Sequence, residues 1–288
     1  MPFHVLTLSS IGSRAGQILA QSQTGSVWGN TSKGVFLHLP PKAIIFLSYE
    51  SYRGPLTANL AVGAAAFRGI SNGELIKIEA KKLLFPHSKI TLDWGQAPVW
   101  NPPALPEAVI QKLQVRKQYQ ELSEKLMASR SFPSLDLTLP ANGCYSYKNG
   151  HFERAYISSE PISSKDLLTI LDPLLGRGPG LTPFGDDISL GCLLALSRWG
   201  RVIDPVLDTH ALSQKLVAQA YRQTTLLSAN LIEAAASGQA DERLILTLDG
   251  IFTGNASVKT CADWLLAWGD SSGYAALTGM DLAFSLIY

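Results

Sequence analysis

The feature that most limits what this chain can fold into is a change in the period of its apolar residues partway along. In the first hundred residues apolar and polar side chains alternate or form short runs bounded by turn residues, the period-2 signature of strands. Gly34 to Leu39 ends at Pro40-Pro41, and Ala43 to Leu47 follows after a turn too short to hold a helix, so the two are expected to form a hairpin. Gly73 to Glu79 alternates charged and apolar residues as a half-exposed strand does, with Ser88 to Trp94 as its expected partner. Pro102, Pro103 and Pro106 then punctuate the chain, and a long amphipathic helix is expected from Glu107 to about Arg130. A further hairpin is expected around Lys148-Asn149-Gly150. From Ser163 onward the spacing is helical almost throughout. Helices are expected from Ser163/Ser164 to Leu175, and over Pro183–Trp199, His210–Ala236, Glu242–Phe252, Ala256–Trp268 and Tyr274–Ile287. The expected architecture is α+β: a β-rich domain with one long helix over residues 1–160, then a mainly α-helical domain over 161–288.

Charge and cysteine usage remove several classes of function. The formal net charge is +1, which provides no global field for nucleic acid or an anionic membrane. The balance is uneven, at +6 over residues 1–160 and −5 over the remainder, so the two halves carry opposite sign. Cys144, Cys192 and Cys261 are odd in number and far apart, which excludes a disulfide framework or a CxxC metal site. No apolar run approaches the roughly 20 residues that cross a bilayer, and the first residues lack the basic-then-apolar order of a signal peptide. A reducing, cytoplasmic setting without membrane or nucleic-acid partners is expected. His4, His38, His87, His151 and His210 are isolated, with no zinc-binding spacing.

The segment that carries chemistry runs from Gly176 to Asp187: Gly-Arg-Gly-Pro-Gly-Leu-Thr-Pro-Phe-Gly-Asp-Asp, followed by the apolar run Ile188 to Leu196. Its glycines permit positive φ and close approach of a ligand to the main chain, and Thr182-Pro183 has the form of an N-cap and first helical residue. Backbone N–H groups at such a helix start suit a phosphate or carboxylate, with Gly178, Gly180 and Thr182 lining the loop and Arg177 adding a bidentate contact. The loop is neither a Walker A motif nor a dinucleotide fingerprint, since it lacks the Lys-Ser/Thr of the one and the preceding strand of the other. Asp186 and Asp187 admit two readings. They complement the helix dipole, or they face a ligand by binding a divalent cation, accepting from an –NH2 group or exchanging a proton. An anion that also carries an amide satisfies both ends of such a site.

A second glycine-containing loop, Gly269-Asp270-Ser271-Ser272-Gly273, leads into the last helix. Gly185/Gly191 and Gly273/Gly279 share a spacing of six before an apolar run, which suggests two similar helix starts converging on one pocket, with Ser271, Ser272 and Gly273 as further contacts. The competing explanation is that Gly191 and Gly279 serve close helix packing. Thr224, Thr225, Ser228 and Asn230 fall in mid-helix and are read as bonding their own backbone in preference to lining the pocket.

These residues, Gly176 to Pro183 with Asp186-Asp187 and Gly191, then Trp268 to Gly273 and Gly279, resemble the AllH family, a subunit of bacterial oxamate carbamoyltransferase. The resemblance is strong from about residue 170 onward and general before it. It implies a multisubunit transferase in allantoin and purine degradation that interconverts carbamoyl phosphate plus oxamate with oxalurate plus phosphate, running physiologically toward carbamoyl phosphate. Partner subunits and a small anionic substrate are implied, with the glycine loop on phosphate and the acidic pair, Asp186 and Asp187, on the carbamoyl amide. The alternative from another class is a non-catalytic subunit that binds a metabolite and regulates or scaffolds its partners. A metal-dependent hydrolase using the acidic pair comes last, for want of histidines.

Overall fold

The computed structural model describes residues 3–61, 63–67, 69–107, 111–129, 145–148, 151–154, 164–203, 208–269 and 271–284. The chain divides into two compact units, Met1–Pro103 and Ala104–Tyr288. The domain boundary expected at residue 160 lies outside the described residues.

The first unit is a β-barrel. Its strands are β1 (His4–Gly12), β2 (Thr24–Thr31), β3 (Gly34–Leu39), β4 (Ala43–Ser48), β5 (Thr57–Leu60), β6 (Leu75–Glu79), β7 (Lys82–Phe85), β8 (Ile90–Asp93) and β9 (Val99–Trp100). They run in the order β5-β4-β3-β2-β6-β7-β8-β1-β9, and β1 also pairs antiparallel with β5, which closes the ring. Closure satisfies the edge strands, and one side chain in two points inward, so Leu6, Leu37, Leu47, Ile76, Leu83 and Leu92 fill the interior. The Gly34–Leu39 and Ala43–Ser48 strands pair as expected, Val35 opposite Leu47, across a cis Pro40-Pro41 bond.

Two expectations are corrected here. The strand over residues 75–79 pairs not with β8 but with β7, Glu79 facing Lys82. The two-residue turn between them, Ala80-Lys81, has positive φ at both positions (46° and 60°), the mirror-image turn that suits a hairpin. The second correction is a helix, α1 (Ser13–Gln21), within the half expected to be mainly strands, burying Ala15 and Leu19.

The second unit contains α2 (Lys112–Ser129), β10 (Tyr145–Lys148), β11 (His151–Arg154), α3 (Ser164–Leu171), a 3-10 turn at Asp172–Leu174, α4 (Phe184–Ile203), α5 (Thr209–Gln223), α6 (Leu226–Ala235), α7 (Glu242–Thr253), α8 (Val258–Trp268) and α9 (Ser272–Phe284). Strands β10 and β11 pair antiparallel on either side of the expected hairpin turn, whose residues 149 and 150 lie outside the described set. So do residues 108–110, near the expected start of the long helix. Helix α4 is buried on all sides from Phe184 to Leu196, as expected for a helix apolar all round, and packs along α9. The two backbones nearly touch: a Cβ on Gly279 would lie 1.9 Å from the Ile188 carbonyl oxygen, and one on Gly191 2.0 Å from that of Ala276. These glycines therefore serve packing.

Trp199, Phe252 and Phe284 join α4, α7 and α9 in an aromatic cluster, the first two rings stacked 4.5 Å apart. Beside it Arg198 holds Asp249 through two bonds of 2.6 Å, while Trp199 Nε1 donates to Asp249 Oδ1 at 3.0 Å. The stretch expected as one helix over 210–236 is two. Thr224 is extended, and Thr225 caps α6 by accepting from the Ser228 N–H at 3.1 Å.

Candidate functional site

The glycine loop lies between the 3-10 turn and α4. Gly176 and Gly178 adopt φ of 74° and 115°, conformations that favour glycine, and a Cβ on Gly178 would sit 2.8 Å from the Phe184 nitrogen. Helix α4 begins at Phe184, one residue beyond the expected start, and the Thr182 hydroxyl lies 3.5 Å from Ser272 Oγ. The first turn of α4 is not the free donor set expected. Gly185 N–H donates to the Arg177 carbonyl at 2.9 Å, and the N–H groups of Asp186 and Asp187 donate to that of Pro183. The donors left over are in the loop: the N–H groups of Gly178, Gly180, Leu181 and Thr182 donate to no described residue. Arg177 is exposed beside them.

The loop is fastened from beneath. Thr225 Oγ1 donates to the Leu181 carbonyl at 2.7 Å and Ser228 Oγ approaches the same oxygen at 3.4 Å. Asp186 Oδ1 accepts from Gly176 N–H at 2.7 Å, and its Oδ2 accepts from the Thr224 hydroxyl. Both oxygens of Asp186 are thus spent on holding the loop against the α5–α6 junction. The threonines and Ser228 were not among the expected site residues. A signal exists for Thr225 alone, a residue type favoured as a helix N-cap, and it is masked by helical spacing on either side. Asn230 instead donates to the Tyr221 hydroxyl at 2.9 Å.

Asp187 differs from its neighbour. It is 1% exposed, the Ser272 hydroxyl is near its carboxyl, and its Oδ2 has no partner among the described residues. Burial pushes this carboxyl well above the usual carboxylate range; the nearby Ser272 hydroxyl opposes the shift and repulsion from Asp186 adds to it. The starts of α4 and α9 therefore converge, bringing Thr182, Asp187 and Ser272 together. Ser271 opens α9, its carbonyl accepting from Ala275 N–H at 3.0 Å. Gly273 is a packing residue, since a Cβ there would lie 2.1 Å from the Leu265 carbonyl oxygen. Asp270 lies outside the described residues.

Elsewhere in the unit, a cleft of about 500 Å³ between α3, the 3-10 turn and α5 is lined by Thr169, Asp172, Lys215, Gln219 and Arg222, and by none of the expected site residues. Among the described residues no three His, Cys, Asp or Glu side chains group as metal ligands, and no helix is long and apolar enough to cross a membrane. Burial raises the Cys192 thiol and pushes that of Cys261 up to about 11, which makes both poor nucleophiles.

Comparison with curated proteins and with solved structures gives no match. Residues 174–284, from the end of the 3-10 turn through α9, match the family model described as oxamate carbamoyltransferase subunit AllH, so the resemblance expected from the two loops holds over the region that contains them.

Proposed function

We propose that the chain is a subunit of an oxamate carbamoyltransferase of allantoin degradation, working with partner subunits, and that its 176–182 loop holds the phosphate end of carbamoyl phosphate. The observation that carries this reading is the row of loop N–H donors without acceptors among the described residues, fastened by Asp186, Thr224 and Thr225 inside the region of the family match. In the transfer, the oxamate nitrogen attacks the carbamoyl carbon. The N–C bond forms as the C–O bond to phosphate breaks, the electron pair leaves with the phosphate, and the nitrogen gives up a proton. Formation of carbamoyl phosphate from oxalurate and phosphate is the reverse. Negative charge gathers on the departing phosphate oxygen, where one preorganised N–H donor is worth about 3 kcal/mol. Of the acidic pair, Asp187 is the member left for the carbamoyl amide, because Asp186 is already engaged.

The test is turnover in the assembled complex. Asp187→Asn should lower it by about 10²-fold, the scale of a lost acid–base group, while leaving the fold intact. Full activity would refute the assignment. The burial of both carboxyls favours a second reading, a metabolite-binding subunit that adjusts a partner enzyme. On that reading the variant leaves turnover at saturation unchanged and Gly178→Val alters only its dependence on substrate concentration.

A further inference from the structure

Helix α5 turns one face to the cleft that it forms with α3 and the 3-10 turn. Lys215, Ala218, Gln219 and Arg222 line that face, at spacings of three and four that set them one above another along the helix. Lys215 and Arg222 are therefore about 10 Å apart along the axis, at a rise of about 1.5 Å per residue, with Gln219 between them. Leu168 of α3 and Pro173 of the turn supply apolar lining, and the volume, about 500 Å³, is that of a site for a small molecule.

The charge in this cleft is not balanced from within. Among the described residues neither the Lys215 nor the Arg222 side chain forms an ion pair or hydrogen bond. Lys117 and Lys259, also exposed on helices, each reach a carboxylate four residues on. Asp172 stands on the wall, but its Oδ1 accepts from Gln223 Nε2 at 3.2 Å and it pairs with neither cation. Two cations with an apolar stretch between them match a ligand with two anionic ends joined by an apolar chain, whereas a compact anion reaches one of them. We infer that the cleft is a ligand site separate from the glycine loop and that it takes a short dicarboxylate. One carboxylate meets the Lys215 ammonium, the other the Arg222 guanidinium in bidentate fashion, and the methylenes lie over Leu168, Pro173 and Ala218. The Asp172 charge opposes this binding.

The test is calorimetric titration of the full-length chain with glutarate and adipate, and with butyrate as the probe that has a single carboxylate. The better of the two dicarboxylates should bind saturably and at least about tenfold more tightly than butyrate, the worth of one charge-assisted hydrogen bond. Lys215→Ala and Arg222→Ala should each remove about that factor. Asp172→Asn should tighten binding. Ala218→Trp, which fills the cleft without altering its charge, should abolish it; Lys215, Ala218 and Arg222 are all exposed, so the fold tolerates these changes. Gly178→Val, which deforms the glycine loop, should leave dicarboxylate binding as it is. The inference is overturned if neither dicarboxylate binds at millimolar concentration, if butyrate binds as well, or if binding survives Ala218→Trp. Loss of binding in Gly178→Val would equally overturn it, by moving the dicarboxylate to the loop. Failure of inorganic phosphate to bind would count against the loop reading alone.

Discussion

Replacing each member of the acidic pair by asparagine should move stability in opposite directions. Asp186 accepts two hydrogen bonds, from Gly176 N–H at 2.7 Å and from the Thr224 hydroxyl. Asparagine can keep its oxygen toward Gly176 while the hydroxyl turns to accept from the new –NH2, so both contacts persist in weaker form. The loss per bond is the difference between roughly 1.5–3 kcal/mol for a charged acceptor and about 1 kcal/mol for a neutral one, about 1–4 kcal/mol for the two bonds. For Asp187 the dominant effect is burial, which raises its carboxyl from 3.8, with the Ser272 hydroxyl opposing and Asp186 adding. A carboxyl raised in the native state binds its proton more tightly there than in the unfolded chain. Its contribution to stability is therefore complete below pH 3.8 and is lost as pH rises through the raised native value. An asparagine there has no charge to desolvate and escapes that loss. For a unit of this size 1 kcal/mol moves Tm by about 2–4 °C, so Asp186→Asn should melt roughly 2–16 °C lower at pH 7. Asp187→Asn should melt at or above the unaltered chain and show a flatter stability–pH profile. Scanning calorimetry at a series of pH values measures both. If Asp187→Asn loses as much as Asp186→Asn, or its advantage does not grow with pH, the division between a fastening and a functional carboxyl is wrong.

Two further outcomes follow from the same contacts. Gly279→Ala places a Cβ 1.9 Å from the Ile188 carbonyl oxygen and 2.8 Å from Cys192 N, which must force α4 and α9 apart at a cost of about 1–3 kcal/mol or more; urea unfolding should show a lower midpoint. Thr225→Val removes the α6 cap and the tie to the Leu181 carbonyl, so it should cost about 1–2 kcal/mol and weaken phosphate binding at the loop, both readable by calorimetry.

What the sequence made legible was set by how local each signal is. The β3–β4 pair could be read because Pro40-Pro41 marks its turn and the flanking runs are rich in Ile, Leu and Phe. The β6–β7 hairpin was hidden because its mirror-image turn is occupied by Ala80-Lys81, with neither Gly nor Asn to announce it. Helix α1 is only nine residues long and Gly12 gives it no side-chain cap, so nothing local separates it from the strands around it. Barrel closure rests on pairings such as Leu8 with Leu60, which no short window contains. At the site, both glycine loops were visible as motifs, and their shared spacing suggested the convergence seen between Thr182 and Ser272. The unequal roles of Asp186 and Asp187 were not visible. They depend on Thr224, 38 residues away, and on Ser272 at the start of a different helix.

The most direct test of the central claim, that the 176–182 loop is the phosphate site, is calorimetric titration of the full-length chain and of Gly178→Val with carbamoyl phosphate, with inorganic phosphate as control. At Gly178 φ is 115° and a side chain would meet the Phe184 nitrogen at 2.8 Å, so valine deforms the loop and displaces its N–H donors. The account predicts saturable binding of both ligands to the unaltered chain and its loss in the variant. Equal binding by the variant, or no binding by either protein at millimolar ligand, would contradict it.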